Sequence, residues 1–276
     1  MKKDLLTYGL GAVLLKFISF LLMPIYASRF STADYGVLTF LQLFATILGW
    51  FLGLQIFSGM WRYYYELDGE DQTKLVKSSF GFSAIINFII LTLAIIIIQF
   101  PIIKNLGYNY LLVIVLVASF VGYFANQGVS ILRLQRKATT FLKLNVSRAL
   151  LYFILVILFV VVFRQGIVSI FYGQLIAGIF LFVIFFFFMG NFKYLSFSYD
   201  KELTKKMLAF SIPLIPGSLA MWVLNSSDNF FIKYFYTMSE VGTYAFSYKI
   251  VMLVQVLLVA PISQAWTPFI FSRIKD

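Results

Sequence analysis

The stretch Ser31-Thr32-Ala33-Asp34-Tyr35-Gly36-Val37 is a brief polar interruption between two long apolar runs. Behind it, residues 5–28 are mostly apolar and carry one charge, Lys16; ahead of it, residues 36–60 carry none. A bilayer core about 30 Å thick needs about 20 mostly apolar residues per helix. Each run is therefore long enough to span. Read outward along the chain, the same criterion gives eight spans, near 5–28, 36–60, 79–100, 110–131, 145–163, 167–189, 208–234 and 242–265. The expectation is an all-α integral membrane protein.

Composition agrees. Of 276 residues, 61% are hydrophobic and 12% charged, whereas soluble domains run at roughly 45–50% and about 25%. The balance of 22 Lys+Arg against 11 Asp+Glu gives a net charge of +11. In a soluble chain that excess suggests nucleic acid; in a membrane protein the placement of the charges matters more, and no nucleic-acid partner is expected. One side receives Lys2, Lys3, the loops 61–77, 133–148 and 191–206, and Arg273 and Lys275, which is 16 basic residues. The other receives 4, namely Arg29, Lys104, Arg164 and Lys233. This asymmetry predicts a cytoplasmic N-terminus and a cytoplasmic end after the eighth span. Trp61 and Trp266 fall at the expected interface.

Other classes lose their chemistry. The chain has no Cys and no His, which removes thiol nucleophiles, the usual zinc sites and His-based triads. Gly9-Leu10-Gly11 opens a dinucleotide-like string, but Leu14 stands where a third Gly belongs and no strand precedes it. Lys2-Lys3 before an apolar run suggests a signal peptide, yet the run is too long and holds Lys16, so it reads as a retained span. Glu66, Asp68, Glu70 and Asp71 imitate a metal cluster but read better as a solvated loop. No metal or cofactor is expected.

The opening stretch has a second copy, Thr237-Met238-Ser239-Glu240-Val241-Gly242-Thr243, 206 residues later. Both put an acid two residues before a Gly that begins a span. Six spans separate the copies, so both run in the same direction through the membrane, as in parallel repeats related by an axis along the membrane normal. Residues 1–206 form a six-helix lobe on this reading, and 207–276 the first two helices of a second lobe. The expectation is a shortened chain lacking the helices that would complete that copy.

An ionisable residue at membrane depth costs roughly 2.5–3.5 kcal/mol on insertion scales and is a functional candidate by default. Lys16 lies about 11 residues into the first span, about 16 Å deep. It shares a face with Gly9, Ala12, Ser19 and Met23, which predicts a cavity-facing position. Ser218, Trp222, Asn225 and Asn229 form a polar stripe on the seventh span, with Asp228 beside it. Lys249 sits at a depth comparable to Asp228, and the two are expected to approach each other or share a cavity. The plainer alternatives are a snorkelling or ion-paired Lys249, a structural acceptor at Asp228 and an interface anchor at Arg148. Pro24, Pro213, Pro216 and Pro261 are expected to bend helices as hinges or as packing kinks.

Two segments carry a resemblance. Lys16 to Gln42, KFISFLLMPIYASRFSTADYGVLTFLQ, resembles the first helix pair of polysaccharide flippases in the multidrug/oligosaccharidyl-lipid/polysaccharide exporter superfamily. Met207 to Ile250 is similar to that family's seventh and eighth helices, with Pro213, Pro216, Trp222, Asp228, Glu240-Val241-Gly242 and Tyr244 in the matching places. Met60-Trp61-Arg62-Tyr63-Tyr64 is similar too, and the remaining helices match loosely. The resemblance implies a multi-pass protein of the bacterial inner membrane. Such a protein flips an undecaprenyl-diphosphate-linked oligosaccharide, an O-antigen, capsule or exopolysaccharide unit, by alternating access without chemical catalysis. Its implied partners are that lipid-linked oligosaccharide, membrane lipids and other polysaccharide-assembly proteins. Lys16 and Lys249 would then offset the diphosphate, Trp222, Asn225 and Asn229 would bind sugars, and Asp228 would couple an ion. The rival readings are a drug/cation antiporter of the same superfamily, a membrane-embedded polysaccharide polymerase or glycosyltransferase, and a membrane scaffold. An antiporter wants deep carboxylates, and here deep Lys outnumber deep Asp. An enzyme wants a sizeable loop.

Overall fold

The structure, a computed structural model, describes residues 2–101, 107–195, 197 and 199–254. Its helices are α1 (Lys2–Leu21), α2 (Met23–Arg29), α3 (Thr32–Phe51), α4 (Ile56–Tyr63), α5 (Gly69–Ile98), α6 (Asn109–Leu134), α7 (Ala138–Ile157), α8 (Val168–Val183), α9 (Lys201–Ser211), α10 (Leu214–Phe235) and α11 (Met238–Val254). Single π-helical turns extend α7 to Val162 and α8 to Phe188. Helix covers most of the first seven expected spans and the eighth as far as Val254, and among the described residues 6 helical stretches are long and apolar enough to cross a membrane. The rest of the eighth span, with Pro261, Trp266, Arg273 and Lys275, lies outside the described residues, as does Lys104.

Local chemistry sets the helix ends. Ser31 caps α3: its side chain accepts from the Asp34 amide at 3.1 Å, while the Asp34 carboxylate accepts from the Ser31 amide at 3.2 Å. This reciprocal pair satisfies two donors that the first turn leaves orphaned. The second stretch makes half of this pair, and its Thr237 hydroxyl accepts from the Ser239 amide at 3.3 Å instead. The Glu240 carboxylate accepts from the Thr237 amide at 3.3 Å and from the Thr237 hydroxyl. Proline accounts for two interruptions. The first span breaks at Leu22, with Pro24 in the opening turn of α2, and Pro213 separates α9 from α10.

The break after α3 has no proline. Gly53, Leu54 and Gln55 take left-handed backbone conformations, with φ of 64°, 49° and 55°. Left-handed backbone costs a residue with a Cβ roughly 1–2 kcal/mol, so Leu54 and Gln55 are held there by their surroundings. The Gly53 amide donates to the Asn87 side chain of α5, and Gln55 reaches across to donate to Ser218 of α10 at 3.1 Å.

Two apolar clusters hold α3, α6, α7 and α8 together. One, around Leu38, Val115, Val156 and Phe171, draws on the start of α3 and α6 and the end of α7. The other, around Ile56, Phe80, Ile131 and Phe185, lies past the α3 break and toward the opposite end of the same bundle. Between them, at mid-depth, the helices turn polar.

The helices that follow the two similar stretches pack against each other. α11 packs along α3 in the same direction: Thr32 and Ser239 share a hydroxyl hydrogen bond, the Tyr35 and Phe246 rings meet edge to face at 5.3 Å, and Lys249 donates to Gln42 at 3.5 Å. A parallel pair is what a repeat axis along the membrane normal produces.

Candidate functional site: two basic cavities

Helix α1 carries Lys16 one turn before Ser19, and α2 follows with Met23 and Tyr26. Helix α11 brings Lys249 to the same place from the second copy. These residues, with Phe20, Leu22, Tyr35, Gln42, Tyr152, Gln174 and Met252, line a cavity of about 440 Å³. The two deep lysines predicted from sequence are therefore brought together, and the expected face of Lys16 does line a cavity at Ser19 and Met23. Lys249 is half-buried; its ammonium donates to Gln42 and lies 5.2 Å from the centre of the Tyr35 ring. The lining holds no Asp or Glu. With two ammonium groups, Lys16 exposed and Lys249 half-buried, and no carboxylate in its lining, the cavity favours anions.

Asp228 is elsewhere. It accepts a hydrogen bond from Tyr244 at 2.6 Å, and the structure gives Lys249 to Gln42 and Tyr35 instead. Both helices put these side chains one after another, but Asp228 and Lys249 leave on different faces. The polar stripe of α10 also turns away from the lysines. Trp222 packs edge to face on Phe230 at 5.5 Å, and Phe230 packs on Phe40 of α3 at 5.0 Å. Asn225 is exposed and donates to its own helix at Met221. Asn229 is buried and donates to Ser226 at 3.4 Å. Trp222, Asn225, Asn229 and Asp228 are not among the residues lining the lysine cavity.

Several lining residues went unnoticed in the sequence. Tyr35 is buried and its hydroxyl has no protein hydrogen-bond partner. Tyr26 shares a hydroxyl hydrogen bond with Tyr152 at 3.3 Å. Gln42 and Gln174 are isolated amides in apolar runs, and that isolation is the signal that points to them.

A second cavity, of about 530 Å³, opens between the two apolar clusters of the first lobe. Its polar lining is Ser119, Tyr123, Asn126, Gln127, Asn145, Arg148, Tyr152 and Gln174. Arg148 donates to Asn126. Because α7 begins at Ala138, Arg148 stands ten residues into the helix, and its side chain lines this cavity. A third cavity, of about 940 Å³, is almost wholly apolar and is lined by Phe80, Phe88, Phe120, Phe124, Phe182 and Phe197 among others.

Comparison with known proteins places this geometry. Solved structures with the same fold include a multidrug resistance transporter of the MATE family and MOP superfamily in its outward-facing conformation, at TM-score 0.62 and 20% identity. That match covers 92% of this chain and 61% of the transporter. A MOP-superfamily transporter from Pyrococcus furiosus matches at TM-score 0.63 and 20% identity, over 92% of this chain and 61% of the other. The chain thus spans about three fifths of the solved transporters it resembles. A Haemophilus influenzae protein of the Lsg locus is 21% identical over 282 aligned positions, covering 99% of this chain and 67% of the relative. Residues 1–274 match the family described as polysaccharide biosynthesis protein. The chain is a membrane protein with a transporter fold, and it belongs to the polysaccharide biosynthesis protein family.

Proposed function

We propose that this chain is the cargo-facing part of a flippase in the bacterial inner membrane, N-terminus cytoplasmic. It moves an undecaprenyl-diphosphate-linked oligosaccharide such as an O-antigen, capsule or exopolysaccharide unit. The observation that carries the reading is the shared cavity of Lys16 and Lys249, which draws one cation from each copy of the repeat and no carboxylate from either. A diphosphate cannot enter lipid unpaired; two ammonium groups between the lobes meet that need. The family and the transporter fold support the same reading. A cationic drug would be repelled by this lining, so an antiporter for such drugs is the weaker reading.

In the cycle, the diphosphate docks between Lys16 and Lys249 while the polyprenyl tail stays in lipid. Residues 1–206 and 207–276 act as parts of two lobes that rock about the α3–α11 contact, exposing the cavity to each side in turn. Trp222, Asn225 and Asn229 serve the sugar chain as the lobes separate, and Asp228, held by Tyr244, is the acid assigned to ion coupling. No bond is made or broken.

The test is binding and transfer of a fluorescent polyprenyl-diphosphate glycan by the chain in proteoliposomes. We expect Lys16→Gln and Lys249→Gln each to weaken binding and abolish transfer. Unchanged binding in the double variant would remove the cavity from the mechanism.

A further inference from the structure

The second cavity carries a conclusion that does not depend on the flippase reading. Arg148 stands about 15 Å along α7 from its first residue, near the middle of a helical stretch that runs from Ala138 to Val162. Its guanidinium donates to the neutral amide of Asn126, and every other polar group in the lining is neutral. The sequence explains why. From Gln72 to Tyr199 there is no Asp or Glu, so α6, α7 and α8, and α5 beyond Glu70 and Asp71 in its first turn, offer no carboxylate. The residues that α1 and α3 add are Leu15, Ala45, Gly49 and Leu52.

An arginine cannot shed its proton to escape this position, as a lysine can. A charge at membrane depth is paired or coordinated because leaving it unpaired costs several kcal/mol. Among the described residues the lining supplies no counter-charge, so the counter-charge is sought in solution. The surrounding groups suit a small anion. Gln127, Asn145 and Gln174 offer amide N–H donors, and Ser119 and Tyr123 offer hydroxyls, none of which competes for the guanidinium as a carboxylate would. A cavity of about 530 Å³ leaves room for the ion and several waters, each of which takes about 30 Å³ in the liquid.

We propose that the compartment around Arg148 binds a small monovalent anion, of the size and charge of chloride, within the first lobe. The site is separate from the lysine cavity but adjoins it: Tyr152 and Gln174 line both, and Tyr152 is bonded to Tyr26 in the other wall. The bound ion balances a charge that the fold otherwise leaves exposed to an apolar bundle.

The experiment is thermal unfolding of the full chain in neutral detergent, with sodium chloride replaced stepwise by sodium gluconate at constant ionic strength. We expect the midpoint to rise with chloride and saturate, by about 5 °C at a hundredfold excess over Kd, with bromide acting alike. The rise should persist in the Lys16→Gln/Lys249→Gln double variant and vanish in Arg148→Gln. A wild-type midpoint indifferent to chloride overturns the proposal, as does an Arg148→Gln variant that responds like the wild type. A response lost only in the lysine double variant places the anion in the other cavity and overturns it equally. Should Arg148→Gln fail to fold, chloride-35 NMR on the wild type and Arg148→Lys decides: line broadening in both, displaced by bromide, upholds the site, and its absence from the wild type removes it.

Discussion

Gly36 of α3 and Gly242 of α11 stand against each other at equivalent places in the two copies of the repeat, each lying on the backbone of the other's first turn. A Cβ on Gly36 would overlap the Met238 carbonyl, and a Cβ on Gly242 would overlap the Thr32 carbonyl. The pairs 36 with 238 and 32 with 242 are one contact written twice, because 242 − 36 and 238 − 32 are both 206. The glycines permit a close helix crossing, as small residues do in membrane bundles.

Alanine at either glycine should therefore force the helices apart. We expect Gly36→Ala and Gly242→Ala each to destabilise the chain by about 1–3 kcal/mol, the usual range for overpacking. The double variant should cost less than the sum, since the first methyl already opens the space for the second. Unfolding in detergent, read by tryptophan fluorescence, measures both effects; strict additivity would mean that the two glycines do not share one contact.

The lysine cavity predicts a charge requirement. Lys16→Arg should retain glycan-diphosphate binding, whereas Lys16→Glu should weaken it by at least about tenfold, since a hydrogen bond to a charged group contributes about 1.5–3 kcal/mol. Microscale thermophoresis with a short-chain polyprenyl diphosphate reads this directly. Equal affinities for the two variants would show that Lys16 does not meet the phosphate.

Asp228 and Tyr244 should behave as a pair. A double-mutant cycle of Asp228→Asn and Tyr244→Phe is expected to show coupling of about 1 kcal/mol in unfolding free energy. The cycle of Asp228→Asn with Lys249→Gln should be additive, because the structure sends the two charges to different partners. Coupling in the second cycle and none in the first would reverse the assignment.

Gly53 is a position that only glycine fills easily. Its φ is 64°, and a Cβ there would overlap the Tyr123 hydroxyl. Gly53→Ala is expected to cost about 2–4 kcal/mol from left-handed strain and overlap together. Adding Tyr123→Phe removes the overlap but not the strain, so it should recover part of the loss in a thermal-shift assay. Complete recovery would show that the backbone conformation carries no cost.

The spans and the capping residues were legible because each leaves a local mark: an apolar run, or an acid three residues after Ser31 or Thr237. Pro24 and Pro213 announced their breaks for the same reason. The break at Gly53 was not legible, since it depends on Asn87 of α5 holding the Gly53 amide, a partner far along the chain. Lys16 and Lys249 were singled out by their charge within apolar runs, but the face on which Asp228 leaves α10 depends on how α10 settles against α3 and α11. The start of α7 was not legible either: the helix begins seven residues earlier than the apolar run suggests, 138 against 145, because Thr139, Thr140 and Lys143 are helical although hydropathy counts them as loop.

The segment from α3 to Glu66 holds α9 and α11 at two levels, and the two grips differ in kind. Near Gly36 the contact is carbonyl against glycine with one hydroxyl bond. Near Glu66 it includes an exposed ion pair, Lys206 to Glu66 at 3.3 Å, beside a Ser211 hydroxyl that accepts from the Gly59 amide at 2.9 Å. Salt screens the second grip and leaves the first untouched. Ionic strength therefore acts unequally on the two contacts: it weakens the ion pair near Glu66 and leaves the glycine crossing near Gly36 as it was.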